Sequence, residues 1–243
     1  MKCIAIIPAR FASTRFPGKP LVEINGKPMV QHVYERAMSS ELFQRVIVAT
    51  DDERIQSTVL GFGGEAVMTN SSHKSGTDRC GEAICGVNES FDIVLNIQGD
   101  EPFIKHEQLE ELVNLFKSTP AQIGTLKKEL SNSEDVFNPN IVKVVSGIDK
   151  RALYFSRNPI PFVRDFEQKD WLFKQKFYKH LGLYGYRTDV LQELVKLAPS
   201  ELEKSESLEQ LRWLENGYSI FISETKYESI GIDTPDDLKK YIK

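Results

Sequence analysis

Three cations and two hydroxyl side chains lie close together near the start of the chain, in the segment PARFASTRFPGKP. Arg10, Ser13, Thr14, Arg15 and Lys19 directly follow an apolar run, CIAII, that is typical of a buried strand. Cations, hydroxyls and the backbone amides of a turn together form sites for polyphosphates. The segment matches neither GxxxxGK[ST] nor GxGxxG, the loops that hold phosphates in many nucleotide-binding proteins. The sequence therefore predicts a phosphate-binding loop of another type, and the alternative is a solvated basic loop.

Acidic residues follow another apolar run and also precede the last helix. Asp100 and Glu101 stand in NIQGDEP, directly after a predicted strand, and Asp233 stands in IGIDTPDDL. Magnesium prefers carboxylate and phosphate oxygens, so Asp100 or Glu101 is a candidate ligand for a metal that accompanies a bound phosphate. Taken alone, Asp233 is typical of an ordinary helix start.

The elements that must position these residues alternate between strand and helix in the first half of the chain. Strands are predicted at 3–7, 45–50, 65–69 and 92–97, and helices at 28–38, 51–63, 75–87 and 106–116. In these helices Pro28 is expected at the first position, and Ser75 or Thr77 as the N-cap. Such alternation predicts a mainly parallel sheet flanked by helices, with ligands bound beyond the carboxyl ends of the strands.

The second half is richer in strands. Segments 122–130, 141–147, 152–157 and 180–187 are predicted as strands separated by turns, followed by helices at 189–198 and 206–217, a strand at 218–224 and a helix from Thr234. We therefore expect one α/β domain over residues 1–243. It should carry a smaller β-rich insertion at roughly 120–190 that pairs with a second subunit.

Composition excludes several classes of protein. The 243 residues carry a formal charge of −4, which disfavours a general nucleic-acid binder. No segment has the apolar length of a membrane span, and no signal peptide is evident. The three cysteines, Cys3, Cys80 and Cys85, are scattered, which argues against a disulfide framework or a zinc site. These features predict a cytoplasmic protein without membrane insertion.

The motifs taken in order resemble one family. PARFASTRFPGKPL, VATDDERI, SGTDR, NIQGDEP, NPNIVKVV, ALYFSRNPIP, KHLGLYGYR, LEQLRWLENG and IDTPDDL are similar to the successive motifs of the 3-deoxy-manno-octulosonate (Kdo) cytidylyltransferases. The resemblance implies a nucleotide-diphospho-sugar transferase-like fold and a cytoplasmic homodimer. It also implies the magnesium-dependent reaction of CTP with Kdo to give CMP-Kdo and pyrophosphate for lipopolysaccharide biosynthesis.

The resemblance also assigns roles on the nucleotide side, residue by residue. It implies that the triphosphate is held by Arg10, Ser13, Thr14, Arg15 and Lys19, of which Arg15 and Lys19 also act in catalysis. Arg79 and Gln98 match positions that face the cytosine and ribose. Asp100 and Asp233 match the metal positions and count as catalytic.

On the sugar-acid side, the matching residues are Arg157, His180, Tyr184, Glu209 and Gln210. Three of them have an ordinary alternative: Arg157 could be a surface charge, Tyr184 could serve packing, and His180 could be a satisfied core histidine. The remaining histidines, His32, His73 and His106, have no predicted role.

For the reaction, we expect in-line attack of the anomeric hydroxyl of Kdo on the α-phosphorus, without a covalent enzyme intermediate. No general base is evident, and one or two magnesium ions fit equally well. Two alternatives stay open. One is a cytidylyltransferase for a related 2-keto sugar acid, such as 8-amino-Kdo or a sialic-acid-like substrate, and the other is a non-catalytic nucleotide-binding protein on the same fold.

Overall fold

The protein is described here from a computed structural model. It covers residues 1–12, 16–228, 231–232 and 234–239. Four predicted site residues, Ser13, Thr14, Arg15 and Asp233, lie outside the described residues, so their roles stay predictions.

The strands are β1 (Cys3–Ala9), β2 (Glu23–Ile24), β3 (Lys27–Pro28), β4 (Arg45–Thr50), β5 (Ala66–Met68), β6 (Ile93–Asn96), β7 (Ile123–Glu129), β8 (Lys143–Ser146), β9 (Ala152–Ser156), β10 (Tyr178–Arg187) and β11 (Ile220–Glu224). The helices are α1 (Met29–Ser39), α2 (Glu53–Gly61), α3 (Gly76–Cys85), α4 (His106–Ser118), α5 (Ser133–Phe137), α6 (Trp171–Lys174), α7 (Thr188–Leu194), α8 (Glu201–Glu206), α9 (Glu209–Glu215) and α10 (Pro235–Lys239). Short 3-10 helices cover Lys19–Leu21 and Gln168–Asp170.

The chain divides into two compact units. The first comprises the described residues within Met1–Glu110, Leu183–Val195 and Ser229–Lys243, and the second comprises Glu111–Gly182 and Lys196–Glu228. The second unit thus includes residues 196–228, which the sequence analysis did not join to the β-rich insertion. The predicted single domain with a dimerisation insertion stays a prediction.

The first unit is built on a mainly parallel sheet. Its strand order is β10, β6, β1, β4, β5, and the β1–β4, β1–β6 and β4–β5 pairs are parallel. The second half of β10 runs antiparallel to β6. Helices α1, α2 and α3 pack against these strands. Every residue of CIAII at the centre of the sheet is buried, as its apolar run predicts. Arg10 follows β1 and Asp100 lies in the loop after β6. Both residues are therefore found at the carboxyl ends of neighbouring parallel strands.

The C-terminal segment belongs to the first unit. Leu238 of α10 and Ile232 pack in one apolar cluster with Ile24 and Met29. Thr234 caps α10, since its hydroxyl accepts the backbone N–H of Asp237 at 3.2 Å, so the helix start predicted at Thr234 is confirmed.

The second unit holds the strand-rich part of the chain. Strand β7 neighbours β11, to which it is parallel, and β10. Strand β8 pairs antiparallel with β9 and with the first half of β10. The strands predicted in this part of the chain are confirmed, and their pairing is partly parallel and partly antiparallel.

Several predicted boundaries were wrong. Pro28 ends β3 and is the N-cap residue of α1 instead of its first residue. The helix predicted at 206–217 begins only at Glu209, because Ser207 adopts a left-handed conformation (φ 51°) that ends the preceding helix α8, which was not predicted. The helix predicted at 189–198 stops at Leu194. None of the helices described is long and apolar enough to cross a bilayer.

Candidate active site

A cavity of about 270 Å³ lies in the first unit at the carboxyl ends of its strands. Among the residues that line it are Arg10, Lys19, Lys74, Arg79, Gln98 and Asp100. Four of these carry positive charge and one carries negative charge, although the whole chain has a formal charge of −4. The cavity is thus a local concentration of positive charge, suited to an anion.

The loop after β1 is closed by its own backbone. The N–H of Gly18 donates to the carbonyl oxygen of Phe11 at 2.9 Å, and Gly18 has a φ of 70°, where a side chain would be strained. A Cβ at Gly18 would also lie 3.1 Å from the ring of Phe11, over which the Arg54 guanidinium stacks at 3.4 Å. The closed loop delivers Lys19, the first residue of the following 3-10 helix, to the cavity wall.

Lys19 and Asp100 form an ion pair in the cavity, with Lys19 Nζ 2.6 Å from Asp100 Oδ2. The Lys19 side chain is 12% exposed and that of Asp100 is 31% exposed, so the carboxylate keeps access to the cavity. The carbonyl oxygen of Asp100 accepts the backbone N–H of Ile232 at 2.9 Å. The residue that precedes Asp233 in the chain therefore lies beside Asp100.

The loop after β6 approaches β1 closely. A Cβ on Gly99 would lie 2.9 Å from the carbonyl oxygen of Pro8, so only glycine fits without a shift. Gln98, the preceding residue, donates its amide to Asn96 Oδ1 at 3.2 Å. This close packing sets the positions of Gln98 and Asp100 on the cavity wall.

The N-terminus of α3 also faces the cavity. Of the two predicted candidates, Ser75 is its N-cap, and it forms a capping box with Asp78. Ser75 and Gly76 line the cavity. The backbone N–H groups and the positive end of the helix dipole there add to the attraction for an anion.

Arg79 of α3 is almost completely buried at 3% exposure. Its Nη2 lies 3.0 Å from Asp51 Oδ2, and its Nη1 donates to the hydroxyl of Thr69. These partners compensate the buried charge and fix the guanidinium at the cavity wall. Asp51 and Thr69 follow β4 and β5, and the sequence analysis did not single them out.

His73, which has no predicted role, lines the cavity together with Lys74. His73 Nε2 contacts the carboxylate of Glu82, which also accepts the backbone N–H of Asn70 at 2.8 Å. The Asn70 N–H is the main cause that lowers the pKa of Glu82, while partial burial opposes it. The sequence offers one indication of this placement, because His73 and Lys74 directly precede the SGTDR motif.

Metal binding by the described residues alone is not supported. Within the described ranges, no three His, Cys, Asp or Glu side chains group as a metal site. Asp100 offers a partly exposed carboxylate in the cavity, which is the donor type that magnesium prefers.

The predicted sugar-acid residues are divided between the units, with Tyr184 in the first and Arg157, His180, Glu209 and Gln210 in the second. The Tyr184 ring is buried and stacks with that of Tyr186 at 6.0 Å. Glu209 is the first residue of α9, and Gln210 beside it is buried. Arg157 directly follows β9, and its guanidinium donates to backbone carbonyl groups.

His180 lies on β10, in edge-to-face contact with Phe155 at 5.0 Å. The Thr125 hydroxyl lies 3.0 Å from His180 Nε2 and donates its single proton to the carbonyl oxygen of Leu181 at 3.1 Å. Nε2 is therefore the donor to Thr125. Burial lowers the pKa of His180 to about 3, so its imidazole is neutral at pH 7. With its single N–H directed at Thr125, the neutral ring can only accept a hydrogen bond at Nδ1, and it brings no charge to a carboxylate.

His180 should make the protein less stable in acid. Its pKa is about 3 when folded and 6.5 when unfolded, so the unfolded state binds more protons between these values. The free energy of unfolding is therefore not reduced by His180 above about pH 6.5, and it decreases as the pH falls from there towards 3. When the pH is lowered from 7 to 5, the free energy of unfolding of the wild type should fall by about 2 kcal/mol more than that of His180→Gln. Urea denaturation at the two pH values measures both changes.

His106→Gln is the matched control, because the His106 side chain is 50% exposed. It should lose the same free energy as the wild type over this pH range. Equal losses for His180→Gln and the wild type would contradict the neutral, buried state of His180.

Comparison with known proteins bears on the whole chain. The family model described as Cytidylyltransferase matches residues 4–226. The 3-deoxy-manno-octulosonate cytidylyltransferase of Parabacteroides distasonis is 52% identical, over 99% of this chain and 96% of its own length. That of Phocaeicola vulgatus is 54% identical with the same coverage.

Solved structures agree. The structure of a CMP:2-keto-3-deoxy-manno-octonic acid synthetase complexed with CTP superposes with a TM-score of 0.92, at 44% identity and over 99% of this chain and 96% of that one. A 4-diphosphocytidyl-2C-methyl-D-erythritol synthase from Anaerococcus prevotii, 13% identical with a TM-score of 0.63, shares the fold. The predicted fold class and family are confirmed: the chain is a nucleotidyltransferase and belongs to the 3-deoxy-manno-octulosonate cytidylyltransferase family.

Proposed function

We propose that the protein transfers the cytidylyl group of CTP to Kdo, giving CMP-Kdo and pyrophosphate for lipopolysaccharide biosynthesis. The observation that carries this proposal is the cation-lined cavity of the first unit. It belongs to a chain that is 44% identical to a synthetase complexed with CTP. The names of the full-length relatives support Kdo as the acceptor.

In the proposed reaction, the anomeric hydroxyl on C2 of Kdo attacks the α-phosphorus of CTP. The new bond joins that oxygen to phosphorus, the bond to the bridging oxygen breaks, pyrophosphate leaves, and the hydroxyl proton is released. Arg10 and Lys19 on the cavity wall offset the charge that develops on the leaving group. We assign Ser13, Thr14 and Arg15 to the same triphosphate from their place in the sequence.

We assign magnesium to Asp100 and Asp233. The partly exposed carboxylate of Asp100, and the hydrogen bond that its carbonyl oxygen accepts from the backbone of Ile232, support this pairing. When bound, magnesium supplies positive charge that shields the triphosphate and lowers the pKa of the attacking hydroxyl.

Arg79 and Gln98 are assigned to the cytidine. Arg79 is fixed by Asp51 and Thr69, and Gln98 by Asn96, so both present restricted donors to a base or ribose. A site of fixed polar groups strongly rejects a base that leaves them unpaired, which favours cytosine over a purine.

The sugar acid is assigned to Arg157, His180, Tyr184, Glu209 and Gln210. In this set Arg157 provides the positive charge for the C1 carboxylate, since His180 is neutral at pH 7. His180 then acts as a hydrogen-bonding group. We further propose that the protein works in the cytoplasm as a homodimer and that the strand-rich insertion at roughly 120–190 contributes to the dimer.

The proposal is tested by mixing the protein with Mg²⁺, a nucleotide and a sugar acid, and by following pyrophosphate release. CTP with Kdo should give turnover, and ATP with Kdo should give at least about a hundredfold less. Turnover only with 8-amino-Kdo or a sialic acid would show that this acid, and not Kdo, is the substrate. No release with any of these acids would favour a non-catalytic nucleotide-binding protein.

Asp100→Asn and Asp233→Asn should each reduce turnover by about a hundredfold or more, because each removes a charge from one metal site. Since both act through one ion, the double variant should be little worse than the worse single variant.

Asp236→Asn serves as the control, because Asp236 is an exposed residue of α10 paired with Lys239. It should keep full activity. Losses that multiply in the double variant would contradict a shared ion, provided that thermal unfolding shows all variants folded.

A further inference from the structure

Arg157 is held by the backbone of two separate turns. Its Nε donates to the carbonyl oxygen of Glu206 at 2.6 Å, its Nη1 to that of Pro139 at 3.0 Å, and its Nη2 to that of Ser207 at 3.3 Å. A guanidinium carries five N–H donors, so three bonds fix its plane and two donors stay available for a ligand. The direction of those two donors depends on the turns at 138–140 and 206–207.

Glu206 binds back to the same region. Its carboxylate accepts the hydroxyl of Ser156 at 2.7 Å and the backbone N–H of Arg157 at 2.9 Å. The side chain of Glu206 thus holds the end of β9, while its carbonyl oxygen holds the guanidinium that follows β9. These two sets of bonds fix Arg157 at both its backbone and its side chain.

The turn that holds Arg157 also begins α9. Ser207, in the left-handed conformation, separates Glu206 from Leu208, the N-cap residue of α9. Glu209 and Gln210 follow immediately. A change at Glu206 therefore reaches Arg157, Glu209 and Gln210 together, three of the residues assigned to the sugar acid.

Charge makes Glu206 important beyond its shape. Lys143 is completely buried, and its Nζ donates to the carbonyl oxygens of Asn138 at 2.9 Å and Ile141 at 2.6 Å. Burial lowers the pKa of Lys143, the charge of Arg157 lowers it further, and the charge of Glu206 opposes both. The carboxylate of Glu206 therefore offsets part of the charge of the buried Lys143 beside Arg157.

We propose that Glu206 is a positioning residue for the sugar acid: it orients Arg157 towards the carboxylate of the substrate and fixes the start of α9. Its carboxylate acts through Arg157 and does not itself touch the substrate. This inference rests on the proposed function and deepens it.

Glu206→Gln is the variant that tests it, since glutamine keeps the size of the side chain and removes its charge. The KM for Kdo should rise about tenfold, as expected when a misoriented Arg157 loses one charge-assisted hydrogen bond to the substrate carboxylate. The KM for CTP should change less than about twofold. Glu201→Gln, at the exposed start of the same helix, is the matched control and should change neither value. Equal changes of both KM values in Glu206→Gln, or no change in either, would overturn the inference.

A second measurement needs no turnover. In the free wild-type protein, the Arg157 Nε–H should give a slowly exchanging NMR signal, assigned by its loss in Arg157→Lys. The signal should survive in Glu201→Gln and exchange at least about tenfold faster in Glu206→Gln. An unchanged signal in Glu206→Gln would overturn the positioning role even in an active enzyme. A wild type without pyrophosphate release would instead defeat the proposed function.

Ser156→Ala covers the case in which Glu206→Gln does not fold. It removes one of the two hydrogen bonds that the Glu206 carboxylate accepts. It should shift the KM for Kdo and the exchange rate in the same direction, by a smaller factor. A folded Ser156→Ala variant with wild-type values in both measurements would count against the inference.

Discussion

The ion pair between Lys19 and Asp100 joins the two loops on which the candidate active site depends. Lys19 comes from the loop after β1 and Asp100 from the loop after β6, and the two strands are parallel neighbours. A close contact of this kind requires both loops to leave the same edge of the sheet. The tight packing of Gly99 against Pro8 and the closed turn at Gly18 are the local conditions that allow it.

Positive charge is stabilised differently in the two units. In the first unit, Arg79 is paired with Asp51, while Arg10 and Lys74 line the cavity together with the N-terminus of α3. In the second unit, Arg157 and Lys143 are held mainly by backbone carbonyl groups, and Glu206 offsets part of the charge of Lys143. Carbonyl dipoles stabilise a cation without neutralising it, so Arg157 retains its attraction for an anionic substrate.

Much of the fold follows from local sequence. The buried β1, the capped starts of α3 and α10, and the alternation that makes the first sheet parallel are visible as apolar periods and cap residues. The division between α8 and α9 could not be predicted, because it depends on a left-handed serine, a conformation that serine rarely adopts. The grouping of residues 196–228 with the strand-rich unit depends on tertiary contacts that no local pattern encodes.

The candidate site likewise contains residues that the sequence predicts and residues that it does not. The cations after β1 and the acid after β6 were predictable, because parallel strands bring their carboxyl ends together. Partners such as Asp51 for Arg79, Glu82 for His73 and Glu206 for Arg157 were not, since each lies in a separate segment brought close only by folding.

Calorimetric comparison of CTP with CMP in the presence of Mg²⁺ tests the role of the cation-lined cavity most directly. If the cavity holds the triphosphate, CTP should bind about a hundredfold more tightly than CMP, because two or more charge-assisted contacts to the β- and γ-phosphates are lost in CMP. The ratio of the CTP affinity to the CMP affinity should decrease as salt is added, because salt screens the contacts between the cations and the phosphates. Equal affinity for CTP and CMP at low salt would contradict the assignment of the cavity to the triphosphate.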